Sequence, residues 1–314
     1  MLKIGIQNSL VQFCMMNVFA STPNATAADH SSWPASICLD VGRVRGRSAL
    51  LLNERRGPLQ VQRPFKQADG SVHLYILHPP GGVVGGDSID IKVSARERSR
   101  ALVTTPSATK FYRVDNGDLQ QIQVCQLISK QGAVLEWLPL ETIVFRGASP
   151  RMTTNVHVEA DGRFVGWEIL ALGRKASGEQ FSHGTCQAHW HIYRDARLLH
   201  RENLMIDSQD QRFADAKWGL GGATVAGTLF ISNCPIDPSF EDHLARLRHQ
   251  LSESSLPSTE GQLAQLELTQ KGELLIARYL GHSTECCRAG LNAVRHSVLK
   301  QLGLSGDDAR IWST

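Results

Sequence analysis

Residues 78–87, HPPGGVVGGD, constrain this chain more than any other stretch. Two prolines followed by two Gly-Gly pairs describe backbone that turns tightly, takes positive φ, or lets another segment come close. On both sides the pattern has a period of two. Val72, Leu74 and Ile76 alternate with His73, Tyr75 and Leu77 before it, and Ile89, Ile91 and Val93 alternate with Asp90, Lys92 and Ser94 after it. The glycines therefore join two strands. A phosphate-cradling loop runs instead from a strand into a helix whose amides face the anion. Neither G-x-G-x-x-G nor G-x-x-x-x-G-K-[ST] is present, and Gly219, Gly221, Gly222 and Gly227 fit neither spacing. No nucleotide is expected on this chain.

The same period predicts further strands at 49–52, 101–104, 121–128, 133–137, 142–145, 154–158, 164–170, 187–193 and 224–231, with 265–268 and 273–279 near the end. Two helices interrupt the last third. Asp237 is the expected N-cap of the first, with Pro238 at its first position and Phe240, Leu244, Leu247 and Leu251 on one stripe. The second carries Leu291, Val294, Val298 and Leu302 and stops at Gly303. Between them residues 252–260, SESSLPSTE, read as an exposed loop. The expected fold is mainly β, a single large domain of many short strands decorated by these helices. No clean sequence repeat is present.

Composition narrows the function. A chain of 314 residues with 42% hydrophobic content can build a large core. A net charge of +3, from 33 basic and 30 acidic residues, lacks the concentrated basic face that nucleic acid requires. No apolar run reaches the roughly 20 residues of a membrane span. The seven scattered cysteines are an odd number in a chain too large to depend on disulfides, so free thiols in a reducing compartment are expected. Lys3, the semi-apolar run 10–20 and Ala25-Thr26-Ala27 imitate a secretory signal, but Gln12 and Asn17 interrupt the run. Residues 1–40 are expected to be a disordered leader, with Met15 or Met16 as alternative starts, and 41–314 the β domain.

Several motifs in one order carry a family resemblance. They are the glycine stretch; Thr104-Thr105-Pro106 with Thr109-Lys110-Phe111-Tyr112-Arg113; and Trp137-Leu138-Pro139 with Glu141-Thr142-Ile143. Also present are Gly57-Pro58-Leu59 with Gln62-Arg63-Pro64-Phe65, Gly166-Trp167-Glu168, Leu172-Gly173-Arg174 with Ala176-Ser177-Gly178-Glu179, Arg278-Tyr279-Leu280-Gly281, and Arg310-Ile311-Trp312. From about residue 45 onward the chain resembles the urease accessory protein family UreD, also called UreH. Leu140 stands where that family more often has Gln, and Ser107 where it often has Gly.

The resemblance implies a helical-type stack of strands and a cytoplasmic, non-enzymatic metallochaperone scaffold. Such a protein docks on urease apoprotein with UreF and the GTP-hydrolysing UreG, and assists nickel insertion. It implies no tightly bound cofactor, with Ni²⁺ as transient cargo. Asp87, Glu141, Glu168 and Glu179 then line the ion's route or face a partner, offering hard oxygen ligands. On a structural reading Asp87 caps its turn, while Glu141 or Glu179 pairs with Arg113 or Arg174. His78 is a metal contact or a hydrogen-bonded strand end. Lys110 and Arg113 clamp a loop, meet a partner, or form a solvated pair.

Two other functional classes are open from the residues alone. Asp87 and Glu141 would be the acid/base pair of a β-fold hydrolase or lyase. His183, Cys186, His189 and His191 have the chain's most metal-like spacing and would make it a self-contained Ni or Zn protein, since His189 and His191 share one face of a strand. The vicinal Cys286 and Cys287 diverge on a helix and suggest packing instead.

Overall fold

The structure, a computed structural model, describes residues 33–115, 119–253 and 264–313. The signal-like run, the alternative starts and most of the SESSLPSTE loop lie outside the described residues. A hairpin of β1 (Pro34–Val44) and β2 (Arg47–Arg56) leads through β3 (Gln60–Val61) and β4 (Phe65–Lys66) into a winding body. That body is β5 (Val72–Leu77), β6 (Ser88–Ala95), β7 (Arg100–Thr104), β8 (Thr109–Phe111), β9 (Gln121–Ser129), β10 (Val134–Trp137), β11 (Thr142–Val144), β12 (Pro150–Val158), β13 (Arg163–Arg174), β14 (Glu179–Gln180) and β15 (Thr185–Arg194). It closes with β16 (Arg197–Asp207), β17 (Val225–Ile231), β18 (Gln265–Lys271) and β19 (Leu274–Gly281).

Successive long strands of the body lie in opposite sheets, so the chain winds like a spring. β6, β9, β12 and β15 stack in parallel in one sheet, flanked by β1 and β2 on one side and β16 on the other. β5, β7, β10 and β13 stack in parallel in the other, continued by antiparallel β17, β19 and β18. Each turn of the spring repeats the same inward positions. Val72, Ala101, Leu135 and Phe164 form one buried column, and Val93, Leu127, Val156 and Ile192 form another. Only the burial pattern recurs from coil to coil, because a column needs apolar shape and not identity.

Two long strands, β1 and β16, escaped the sequence pattern, as did the short β3, β4, β8 and β14. β1 begins upstream of residue 41, and its inward Ala35, Ile37, Leu39 and Val41 do alternate. β16 is an exposed edge, out of step with β15 through an irregularity at Ile192/Tyr193, so its period is lost.

The helices cover the outer face of the second sheet. In α2 (Pro238–Glu253) the Asp237 carboxylate accepts from the Phe240 amide at 2.9 Å, and Phe240, Leu244 and Leu247 are buried. The helix runs through Ser252, which the sequence placed in the following loop. In α3 (Thr284–Gln301) the Ser283 hydroxyl accepts from Cys286 N at 3.1 Å, and Leu291, Val294 and Val298 are buried. A single helical turn, α1 (Gln211–Asp215), is capped by Asp210 and is too short to show a period. Among the described residues no helix is long and apolar enough to cross a membrane.

Arg295 of α3 is fully buried. It donates to Glu136 at 2.6 Å, to Asn292 at 3.1 Å, and to the Gly306 and Asp307 carbonyls at 3.1 and 3.3 Å. This network holds the C-terminal segment against β10. Trp312 of that segment lies over Trp167, ring centres 5.5 Å apart, and donates to Thr104 at 3.2 Å.

Candidate ion route and its mouth

The glycine stretch carries the chain from one sheet to the other. Gly81 and Gly86 hold φ of +80° and +88°, a region that other residues enter at a cost. Between them Val83 adds a parallel bridge to Phe111: its amide donates to the Lys110 carbonyl at 2.7 Å, and its carbonyl accepts from Tyr112 at 3.0 Å. The buried Gln121 amide also donates to Val83 O at 2.7 Å, while its Oε1 accepts from Ser149 N at 3.0 Å. Phe111 stacks on Val144, and Val144 on Leu172. The motifs of four coils thus meet in one column.

The neighbouring residues form a second, outer column. A Cβ at Gly82 would collide with the Tyr112 ring. Tyr112 meets Phe145 edge-on with centres 4.9 Å apart, and the Arg174 guanidinium lies 4.6 Å over Phe145. Arg174 pairs with Glu179 at 2.7 Å, and Glu179 also accepts from the Arg146 amide at 3.1 Å. Each partner favours the other's charged form, so the Glu179 pKa is lowered and that of Arg174 raised. This settles Glu179 as a partner of Arg174.

The remaining expected residues separate. Asp87 accepts from Trp33 N at 3.0 Å and Val84 N at 3.1 Å; it is a turn cap that also pins the start of β1. Each of its oxygens thus accepts from one backbone amide. Glu141 offers its backbone carbonyl to Thr109 N at 3.0 Å. Arg113 is exposed, pairs with Asp115 at 3.0 Å, and lays its stem over Gly147, where a Cβ would come within 2.8 Å. His78 and Lys110 do come together, lining a cleft of about 450 Å³, open to solvent, with Leu59, Ile76, Thr105 and Gln123. Burial lowers the His78 pKa, opposed by Asp87.

Glu168 lies deeper. On β13 Val165, Trp167 and Ile169 face the helices, whereas Phe164, Leu170 and Leu172 face the space between the sheets. Glu168 shares that second face and is only partly exposed. Beside it along the sheet come Thr228 and Arg278. From the opposing sheet, the inward row Cys125, Thr154, Trp190 and Glu202 completes a polar seam inside an apolar core. Arg278 crosses to Glu202 at 2.6 Å, and His200 adds a contact of 3.0 Å to the same oxygen. Burial drives the Glu168 pKa up to about 7, and the Glu202 charge adds to the rise. The Trp190 indole N–H, which has no partner in hydrogen-bond geometry, acts in the opposite direction.

The four-residue metal set divides. Cys186 is buried in the inter-sheet core, and burial raises its pKa. His183 is exposed on a loop, where its carbonyl accepts from Gly147 N at 2.6 Å. His189 and His191 lie on the opposite face of β15 from Cys186. Among the described residues no three His, Cys, Asp or Glu side chains converge as a metal centre. Cys287 packs against Gly227, and no disulfide is formed among the described cysteines.

A profile of the UreD urease accessory protein family matches residues 34–313. The chain belongs to the UreD family. It is 36% identical over 300 residues to the urease accessory protein UreD of Saccharophagus degradans, covering 94% of this chain and 97% of that one. Against the UreD of Dechloromonas aromatica it is 38% identical over 292 residues, covering 91% and 96%. Against that of Escherichia coli it is 35% identical over 285 residues, covering 90% and 98%. The UreD match starts with β1, upstream of the first motif recognised in the sequence.

Sequence reasoning placed Glu168 and Arg278 in UreD motifs without assigning Arg278 a role, and missed their neighbours Cys125, Thr154, Trp190 and Glu202. The available signal was polarity at inward positions: Thr154 lies between Met152 and Val156 on the buried face of β12. The stack of Tyr112, Phe145 and Arg174 was also missed, since it exists only once the coils are in register.

Proposed function

We propose that this chain is a non-enzymatic urease maturation factor. It docks on urease apoprotein together with UreF and UreG, as a scaffold and metallochaperone for GTP-dependent nickel insertion. Ni²⁺ is cargo here, not a resident cofactor. Copper binds most nitrogen, oxygen and sulfur sites more tightly than nickel, so raw affinity cannot select the ion. A protein-enclosed path avoids that competition.

The observation that carries the proposal is the UreD match over residues 34–313, and the site feature that supports it is Glu168, a carboxyl held between the two sheets beside Thr228 and opposite Trp190 and Glu202, where burial raises its pKa to about 7. Such a group changes charge near neutral pH, so it meets a passing divalent ion by giving up a proton and releases it by taking one back. The outer column of Tyr112, Phe145 and Arg174 supplies a partner-facing surface, held from beneath by the buried Val83 and Phe111. Asp87 serves that surface as a turn cap, and His78 and Lys110 line its cleft. On this assignment the protein works in the cytoplasm.

The test is the nickel content of urease matured with Glu168→Ala. Urease that still assembles with the accessory proteins but carries less nickel supports the role of Glu168. Full nickel loading with this variant removes the carboxyl from the route.

A further inference from the structure

Outside the inter-sheet seam, two histidines two residues apart share the outer face of one strand among the described residues. We propose that His189 and His191, on the outer face of the seven-stranded sheet, form a two-imidazole site for a divalent cation of the Ni²⁺, Cu²⁺ and Zn²⁺ class. Both project from the side of β15 opposite Cys186, Ala188, Trp190 and Ile192, which are all buried. Two residues along a strand lie about 6.7 Å apart, a separation two imidazoles can bridge through one ion.

The second observation is how the rings are held. His189 Nδ1 lies 3.1 Å from Asn203 Oδ1 on β16, and His191 Nδ1 lies 3.0 Å from Asn155 Oδ1 on β12. An amide oxygen only accepts, so each Nδ1 carries the proton and each Nε2 keeps its lone pair. Fixing the far nitrogen in this way is the device by which proteins orient a ligating histidine and raise its basicity. Here it occurs twice, from the two strands flanking β15.

The surroundings set the strength. Arg201 stands opposite His191 on β16. As cross-strand neighbours the two share the outer face of the sheet. The Arg201 charge opposes a bound cation. His157 on the same face stacks on Tyr193, centres 4.9 Å apart, and is taken up by that contact. With two nitrogen donors and water completing the shell, the site would hold an ion weakly and exchange it, as a loading point does and a store does not. The chemistry needs no urease partner, so it stands apart from the maturation role.

Equilibrium dialysis of the full chain against Ni²⁺, and separately Zn²⁺, tests it. One weakly held ion is expected, lost in H189A/H191A while H183A and C186S retain it. Asn203→Leu should weaken binding about tenfold, and Arg201→Gln should tighten it. Retention of the wild-type ion count by H189A/H191A, or no uptake by the wild type below millimolar metal, would overturn the site. Neither result bears on urease activation, which is read separately.

Discussion

Replacing Glu168 by Gln should stabilise the protein at alkaline pH. In the unfolded chain this carboxyl titrates near its ordinary value of 4.5, whereas in the fold its pKa is about 7. As pH rises from 4.5, the unfolded chain gives up the proton and the folded chain keeps it. The folded state therefore loses stability progressively until about pH 7, and the full loss persists above that. At about 1.4 kcal/mol per tenfold change in proton affinity, the loss approaches about 3 kcal/mol, an upper bound for a partly exposed side chain. Gln cannot ionise and escapes it. Urea denaturation of the two proteins should show equal stability at pH 4.5 and an advantage for the variant at pH 8, with a melting temperature higher by roughly 5 °C. A Gln variant that is no more stable at pH 8, or whose advantage does not shrink as pH falls, would refute the burial of that charge.

Three further outcomes follow from the packing. Arg295→Met leaves Glu136 and the C-terminal carbonyls without their buried partner and should cost about 3–5 kcal/mol in chemical denaturation; the double variant with Glu136→Leu should recover part of this. Gly82→Ala drives a methyl group into the Tyr112 ring and should cost about 1–3 kcal/mol, with loss of the Tyr112–Phe145 contact in aromatic NMR shifts. Burial pushes Cys125 up to about 12, Cys234 up to about 11, and Cys186 and Cys287 further up. At pH 8, mass-spectrometric alkylation should therefore modify Cys38 and Cys286 well before these four.

The strands of the body were legible because each coil keeps its inward side chains apolar at a period of two, as Val72 to Ile76 and Ile89 to Val93 do. The helices were legible from Asp237-Pro238 and from the stripes beginning at Phe240 and Leu291. The sheet order was not, because alternation says which side of a strand is buried and not which sheet receives it. The site divided along the same line. Glu168 stood out within its motif, but Trp190 and Glu202 are remote in sequence and reach it only across the gap between sheets. Asp87 and Glu179 attracted attention as charged motif residues, and the fold uses both to fix backbone amides. The pairing of Cys186 with His189 and His191 failed on parity, since an odd separation on a strand reverses the face.

The central claim is that this chain is needed to mature urease and that its inter-sheet carboxyl acts in delivery. Reconstituted activation of urease apoprotein with UreF, UreG, GTP, bicarbonate and Ni²⁺, with this chain present, absent, or carrying Glu168→Ala, tests it most directly. The account predicts no activation without the chain, and intact assembly with reduced activation for the variant. Activation that proceeds equally without the chain would contradict it.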